Sequence, residues 1–203
     1  LIGQTGAGKT TIMQLLTGLY EKTDGKIVFD DMNIEEISKA SLRSQMAFVL
    51  QDPFLFEMTI KENIRYGKLD ATDEEIYEAA KKANAHSFID KLPDKYDTIL
   101  SADGSQISQG QKQLLSIARA FVADPKILLL DEATSSIDTV TELHIQEALE
   151  KLMENRTSFI IAHRLNTIRK VDYVIVLKQG KIIEQGTRQQ LIEKQGVFGQ
   201  MLN

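Results

Sequence analysis

The chain has 203 residues, 42% of them hydrophobic and 26% charged, with a net charge of −5 and no cysteine. That length supports a domain with a real core, burying roughly 70% of the surface exposed by the unfolded chain. The acidic balance argues against a nucleic-acid footprint, which needs a basic face. The lack of cysteine excludes disulfides and thiolate metal sites and fits a cytosolic compartment.

The first motif is GQTGAGKT, Gly3 to Thr10, which matches G-x-x-x-x-G-K-[ST]. Such a motif normally follows a strand, of which only Leu1 and Ile2 remain. The expectation is therefore a fragment without its natural N-terminus. Ile12, Leu15, Leu16 and Leu19 recur at i, i+3, i+4 and i+7, which predicts a helix ending near Gly18. GKIVFDDMNI reads as a short strand pair or a strand and turn. MAFVL is a strand over residues 46–50, with Gln51 just beyond it.

From Asp52 to about Ser105 the pattern is mainly helical, with a capping box at Thr72 and Glu75 ahead of Ile76, Ala79, Ala80 and Ala83. Ser108 and Gln111 form a second capping box, followed by Leu114, Ala118, Phe121 and Val122 on one helical face. Three short apolar runs then appear, KILLLD, SFIIAH and YVIVL, each unalternating as in parallel strands buried on both faces. They fall far below the ~20 residues that span a bilayer. Ile145, Ala148, Leu149 and Leu152 mark an intervening helix. A turn at Gln179-Gly180 leads into a final antiparallel strand. These elements describe an α/β fold: a mostly parallel sheet with a helical insertion between its early and middle strands.

The chemistry follows the motifs. Glycines let backbone N–H groups wrap phosphates, and the next helix presents its positive end to them. Lys9 reaches the β- and γ-phosphates in such a loop, and the Thr10 hydroxyl ligates Mg²⁺. Asp131 and Glu132 end a buried strand, where ligands gather in open α/β sheets. Asp131 suits the surroundings of Mg²⁺ and Glu132 a general base that orients water, although a carboxylate pair can also cap the following helix. Gln51 and His163 stand after strands, where each could reach the metal or the water or merely cap. The turn at Ser108–Gln111 is both a helix start and an anion site.

In order and spacing, these elements resemble the nucleotide-binding domain of an ATP-binding-cassette transporter over essentially the whole chain. The resemblance rests on the phosphate loop, a glutamine loop at Gln51, a signature sequence ISQGQ, the LLLDE strand, the SSID loop and the AHRL histidine. DPFLFEMTIKENIRYG and the segment from AHRL to IIEQG most resemble exporters of the multidrug and lipid type.

The resemblance implies a P-loop, RecA-like core over residues 1–51 and 117–203, a helical subdomain over about 52–116, and an N-terminal antiparallel region largely missing. It implies ATP and Mg²⁺ as ligands, with Gly3, Gln4, Thr5, Gly6, Ala7, Gly8, Lys9, Thr10 and Thr11 around ATP. Thr10, Gln51 and Asp131 lie around the metal, and Glu132, His163 and Gln51 serve catalysis. It further implies head-to-tail pairing with a second such domain, homologous or identical. Ser108, Gln109, Gly110 and Gln111 then face the partner's ATP, and Asp138 crosses the same interface. The remaining partners are an exporter's transmembrane domains, at the cytoplasmic face of the cell membrane. Gln109 departs from the family's usual glycine, and Ala102 from an upstream glutamate. Both resemble one half of heterodimeric exporters, so a half that does not hydrolyse ATP, or a soluble non-transport ATPase of the same family, are the rival readings.

Overall fold

In the computed structural model, residues 1–101, 105–131, 137–162 and 171–201 are described. They fall into two compact units. One comprises residues 1–46, 131–133 and 159–203, and the other residues 47–130 and 134–158.

The first unit opens with Leu1 and Ile2. The Leu1 nitrogen donates to the Ile160 carbonyl (2.5 Å), and the Leu1 carbonyl accepts from Ala162 N–H (3.0 Å). On the other edge, Ile2 N–H donates to Ile175 (2.9 Å), and the Ile2 carbonyl accepts from Leu177 N–H (2.7 Å), in a parallel bridge to Val176. Two residues thus hydrogen-bond along both edges, as an interior strand does. Ile2, Val174, Val176, Leu191 and Phe198 form the core of this unit, with Ala162 and Val171 packed against it.

Helix α1 spans Lys9–Leu16 and closes through Gly18, in the left-handed region at φ 62°. Gly18 N–H donates to Leu15 and Leu19 N–H to Gln14, the paired bonds that satisfy the last carbonyls of a helix. The expected end near Gly18 is observed, but the buried side chains are Lys9 and Met13, while Leu19 is 58% exposed. Leu19 lies beyond the last helical turn, so the helical period no longer governs where it points. The expected strand pair is present as β1 (Val28–Phe29) and β2 (Met32–Asn33), antiparallel, followed by α2 (Lys39–Ser44).

A three-stranded sheet has the order β3 (Met46–Val49), β4 (Ile127–Asp131), β5 (Thr157–Ile161). Leu128, Leu129 and Leu130 are successive and all buried, so β4 is covered on both faces, as its unalternating run predicts. Strands β6 (Val174–Lys178) and β7 (Lys181–Gly186) form an antiparallel hairpin across the expected Gln179-Gly180 turn.

The second unit is mainly helical: α3 (Ile60–Arg65), α4 (Asp73–Lys82), α5 (His86–Ile89), α6 (Gln109–Ala123) and α7 (Thr139–Met153). Both expected capping boxes form, at Thr72 with Glu75 and at Ser108 with Gln111. Helix α6 packs against α3, α4 and α7 and buries Leu114, Leu115, Ile117 and Ala118, positions on several sides of the helix.

Asn63 organises the segment after Gln51. It is 1% exposed. Its carbonyl oxygen accepts from Phe56 N–H (2.8 Å) and from Arg119 (3.2 Å), and its amide nitrogen donates to the carbonyls of Phe56, Met58 and Thr59. Arg119 also donates to the carbonyls of Asn63 and Phe54. Truncating Asn63 to Ala takes the side-chain acceptor from the Phe56 N–H and from one Arg119 N–H, while the three carbonyls keep the backbone donors of Met58, Asn63 and Leu100. The expected loss is about 2–4 kcal/mol, read as a lower urea midpoint with an unchanged slope. A loss under about 0.5 kcal/mol, the size of an ordinary surface change, contradicts this role.

Candidate functional site

The phosphate-loop residues lie in the first unit. Gly3 sits against the backbone of β6, where a β-carbon would collide with the Leu177 carbonyl oxygen, so no larger residue fits. Ala7 N–H donates back to the Gln4 carbonyl (3.0 Å), closing the loop. Gly6 and Gly8 take φ values of 79° and 100°, which L side chains rarely adopt. Gly8 is the N-cap of α1 and supplies no side-chain acceptor, so the first-turn N–H groups of α1 have no side-chain cap. A helix start of this kind is suited to an anion.

Lys9 is 7% exposed, and its ammonium donates to the carbonyls of Gly3 (2.7 Å) and Gln4 (3.0 Å). A buried cation whose hydrogen-bond partners among the described residues are two neutral carbonyls is poised to exchange them for an anionic oxygen. Gln4, Thr5, Gly6, Thr10 and Thr11 are exposed. An open cleft of about 200 Å³ is lined by Gln4–Ala7 of the loop together with Val176–Gln179, Ile183 and Val197. Asp131 ends β4 and falls in this same unit. Glu132 and His163, and likewise Ala102, lie outside the described residues.

The second unit brings together Gln51, the 108–111 turn and Asp138. The Ser108 hydroxyl accepts from Gln111 N–H (3.2 Å), and the Gln111 side-chain oxygen accepts from Ser108 N–H (2.9 Å). Gly110 is buried against the start of α7. A β-carbon there would collide with Thr141 Cγ2 and lie 3.1 Å from Ile137 Cγ2. Asp138 is the N-cap of α7 and accepts from Thr141 N–H (3.0 Å). That bond, ahead of the Thr141 hydroxyl, holds its carboxyl below the usual carboxylate range. Asp138 therefore caps the helix after β4, and Asp131 is part of the strand.

Two glutamines join α6 to the Gln51 segment. Gln109 donates to the Asp52 carboxylate (3.3 Å), and Gln113, 6% exposed, donates to the Leu50 carbonyl (3.2 Å). They sit four residues apart and so share a helix face, bracketing Gln51, which is itself exposed. Sequence reasoning missed Gln113. Its i, i+4 spacing from Gln109 was the available signal, masked because glutamine is an ordinary helix-surface residue.

The Gly110 contact gives a test. Gly110→Ala is expected to destabilise the second unit by about 1–3 kcal/mol through overpacking. Thr141→Ser, which removes the colliding methyl and keeps the hydroxyl, should return most of that loss in a double-mutant cycle. Purely additive losses contradict the contact.

Comparison with known proteins places this geometry. The family model described as "ABC transporter" matches residues 1–135. The chain is 61% identical over 200 residues to the uncharacterized ABC transporter ATP-binding protein YfiC of Bacillus subtilis, covering 98% of this chain and 33% of that protein. It is 51% identical over 201 residues to a fatty acid ABC transporter ATP-binding/permease protein of Mycobacterium bovis, covering 99% of this chain and 32% of that protein. Among solved structures it is similar to a bacterial Atm1-family ABC exporter with ATP bound, with a TM-score of 0.91 and 41% identity, over 99% of this chain and 35% of that one. The chain thus spans about a third of the length of these relatives.

Proposed function

The chain belongs to the ABC transporter family, and we propose that it is the ATP-binding and ATP-hydrolysing domain of an exporter, working as one of a head-to-tail pair. The observation that carries this reading is Lys9, a buried ammonium resting on two loop carbonyls beside a helix start without a side-chain cap.

Gly3 to Thr11 wrap the triphosphate, and Lys9 leaves the Gly3 and Gln4 carbonyls for the β- and γ-phosphate oxygens. The hydroxyl of Thr10, the carboxylate of Asp131 and the amide of Gln51 are hard oxygen donors, the kind that suits Mg²⁺. When bound, Mg²⁺ offsets negative charge on the phosphate oxygens. Glu132, next in sequence to Asp131, orients a water for in-line attack and takes its proton as the bond to the γ-phosphorus forms and the bond to ADP breaks. His163 steadies the γ-phosphate. Phosphoryl transfer of this kind depends mainly on positioning and charge stabilisation.

Ser108, Gln109, Gly110 and Gln111 complete the ATP site held by the other domain, and Asp138 lies at the same interface. Closure then couples ATP binding to movement of the transmembrane partner. The surface after Gln51 suits that contact. Phe54 is 65% exposed and Tyr66 54% exposed, and Arg119 lies over the rings of Phe56 and Tyr66. No helix among the described residues is long and apolar enough to cross a membrane, so on this reading transmembrane partner domains hold the domain at the cytoplasmic face.

Glu132→Gln in the product of the full gene preserves shape while removing the proton acceptor. Turnover at this site is expected to fall by about a hundredfold or more, within the range of general-base contributions. Size-exclusion chromatography should show ATP holding the paired state. Undiminished turnover, or pairing indifferent to ATP, contradicts the assignment.

A further inference from the structure

The β6–β7 hairpin touches the phosphate loop at two places. The Leu177 carbonyl stands against Gly3, and Gly180 N–H at the hairpin turn donates to the Ala7 carbonyl (3.0 Å). The turn has two residues, with Lys178 paired to Lys181, and both Gln179 (φ 50°) and Gly180 (φ 74°) are left-handed. This is the backbone pattern of a type I′ hairpin. A β-carbon on Gly180 would meet nothing within 4 Å, so the demand for glycine there is conformational and not steric. Gly8 lies close by: a β-carbon added to it would stand 3.6 Å from Gly180 Cα.

The consequence comes from peptide planarity. The described residues include no cis peptide bond, so the Ala7 carbonyl and the Gly8 N–H lie in one peptide plane and point in opposite directions. A donor that fixes the Ala7 carbonyl toward the hairpin turns the Gly8 N–H away from it. Gly8 is followed by the uncapped N–H groups at the start of α1. Successive N–H groups of this kind make an anion-binding concavity.

We propose that the Gln179-Gly180 turn is a positioning element of the phosphate loop, presetting the Gly8 N–H for a nucleoside di- or triphosphate through the Gly180–Ala7 hydrogen bond. This rests on the nucleotide-binding reading above. The turn touches no phosphate itself. It acts on affinity by fixing the loop before the ligand arrives, and it leaves the attacking water and its base alone. Such an effect falls on binding of every nucleotide that carries a β-phosphate and leaves turnover at saturation little changed.

The test uses the purified product of the full gene, titrated calorimetrically with Mg-ATP and Mg-ADP and assayed for KM and kcat. Three changes are compared. Gly180→Val disfavours the left-handed turn, Gly180→Asn tolerates it, and an amide-to-ester replacement at Gly180 deletes only the N–H. Gly180→Val and the ester should weaken both nucleotides by a common factor of about three- to tenfold, the size of one hydrogen bond, with kcat nearly kept. Gly180→Asn should stay within about twofold of the native chain, since a favoured left-handed residue costs a few tenths of a kcal/mol at most. If Gly180→Val does not fold, the ester decides. Native affinity in the ester, a loss in Gly180→Asn equal to that in Gly180→Val, or a fall in kcat alone overturns the proposal. Absence of ATP binding by the native protein overturns the nucleotide-binding reading itself and the proposal with it.

Discussion

A loop that aims several backbone N–H groups at one point must turn its carbonyls elsewhere, and those carbonyls need partners. The rest of the site depends on how this is met at Gly3–Thr10. Gln4 is satisfied by Ala7 N–H and by the Lys9 ammonium, Gly3 by Lys9, and Ala7 by Gly180 N–H. No side chain on the loop supplies an acceptor to the helix start, which keeps that end of α1 electropositive. Ile2 anchors the loop from the other side by bonding to Ile175 and Leu177 in the strand that leads into the hairpin. The loop is thereby held at both ends by backbone, with little conformational freedom left for a ligand to remove.

The second unit solves a different problem with the same means. Its polar turn at Ser108–Gln111 has both side chains engaged in a capping box, which leaves the turn rigid. Gly110 closes onto the first turn of α7, whose cap is Asp138. The Ser108–Gln111 turn and the Asp138-capped start of α7 are therefore packed directly against each other. Gln109 and Gln113 join α6 to the Leu50–Asp52 segment, and Asn63 with Arg119 joins it to the apolar surface after Gln51. Arg119 thus ties Phe54 and Asn63 to α6, the helix that begins at the Ser108 turn.

Legibility in the sequence followed the range of the interaction. Thr72 with Glu75, Ser108 with Gln111, and Gln179-Gly180 are local arrangements whose partners lie within a few residues, and each is found where expected. The phosphate loop was legible because its glycines are demanded by backbone geometry. Contacts between distant segments were not: Gly110 against Thr141, Gln113 on Leu50, Arg119 on Asn63 and Gly180 on Ala7 leave no periodic trace. Asp138 as a cap was within reach, since it stands just before a helical pattern. Leu19 shows the opposite error, a residue in period with α1 but past its end.

The central claim is that the loop binds phosphate through Lys9 and the backbone around it. Calorimetric titration of the product of the full gene and of its Lys9→Ala variant, with Mg-ATP and AMP, tests it most directly. The native protein should bind Mg-ATP far more tightly than AMP, and Lys9→Ala should weaken Mg-ATP by about ten- to a hundredfold or more while leaving AMP unchanged, as loss of charge-assisted bonds to the β- and γ-phosphates requires. Equal affinity for Mg-ATP in the two proteins, with both folded, would contradict the account.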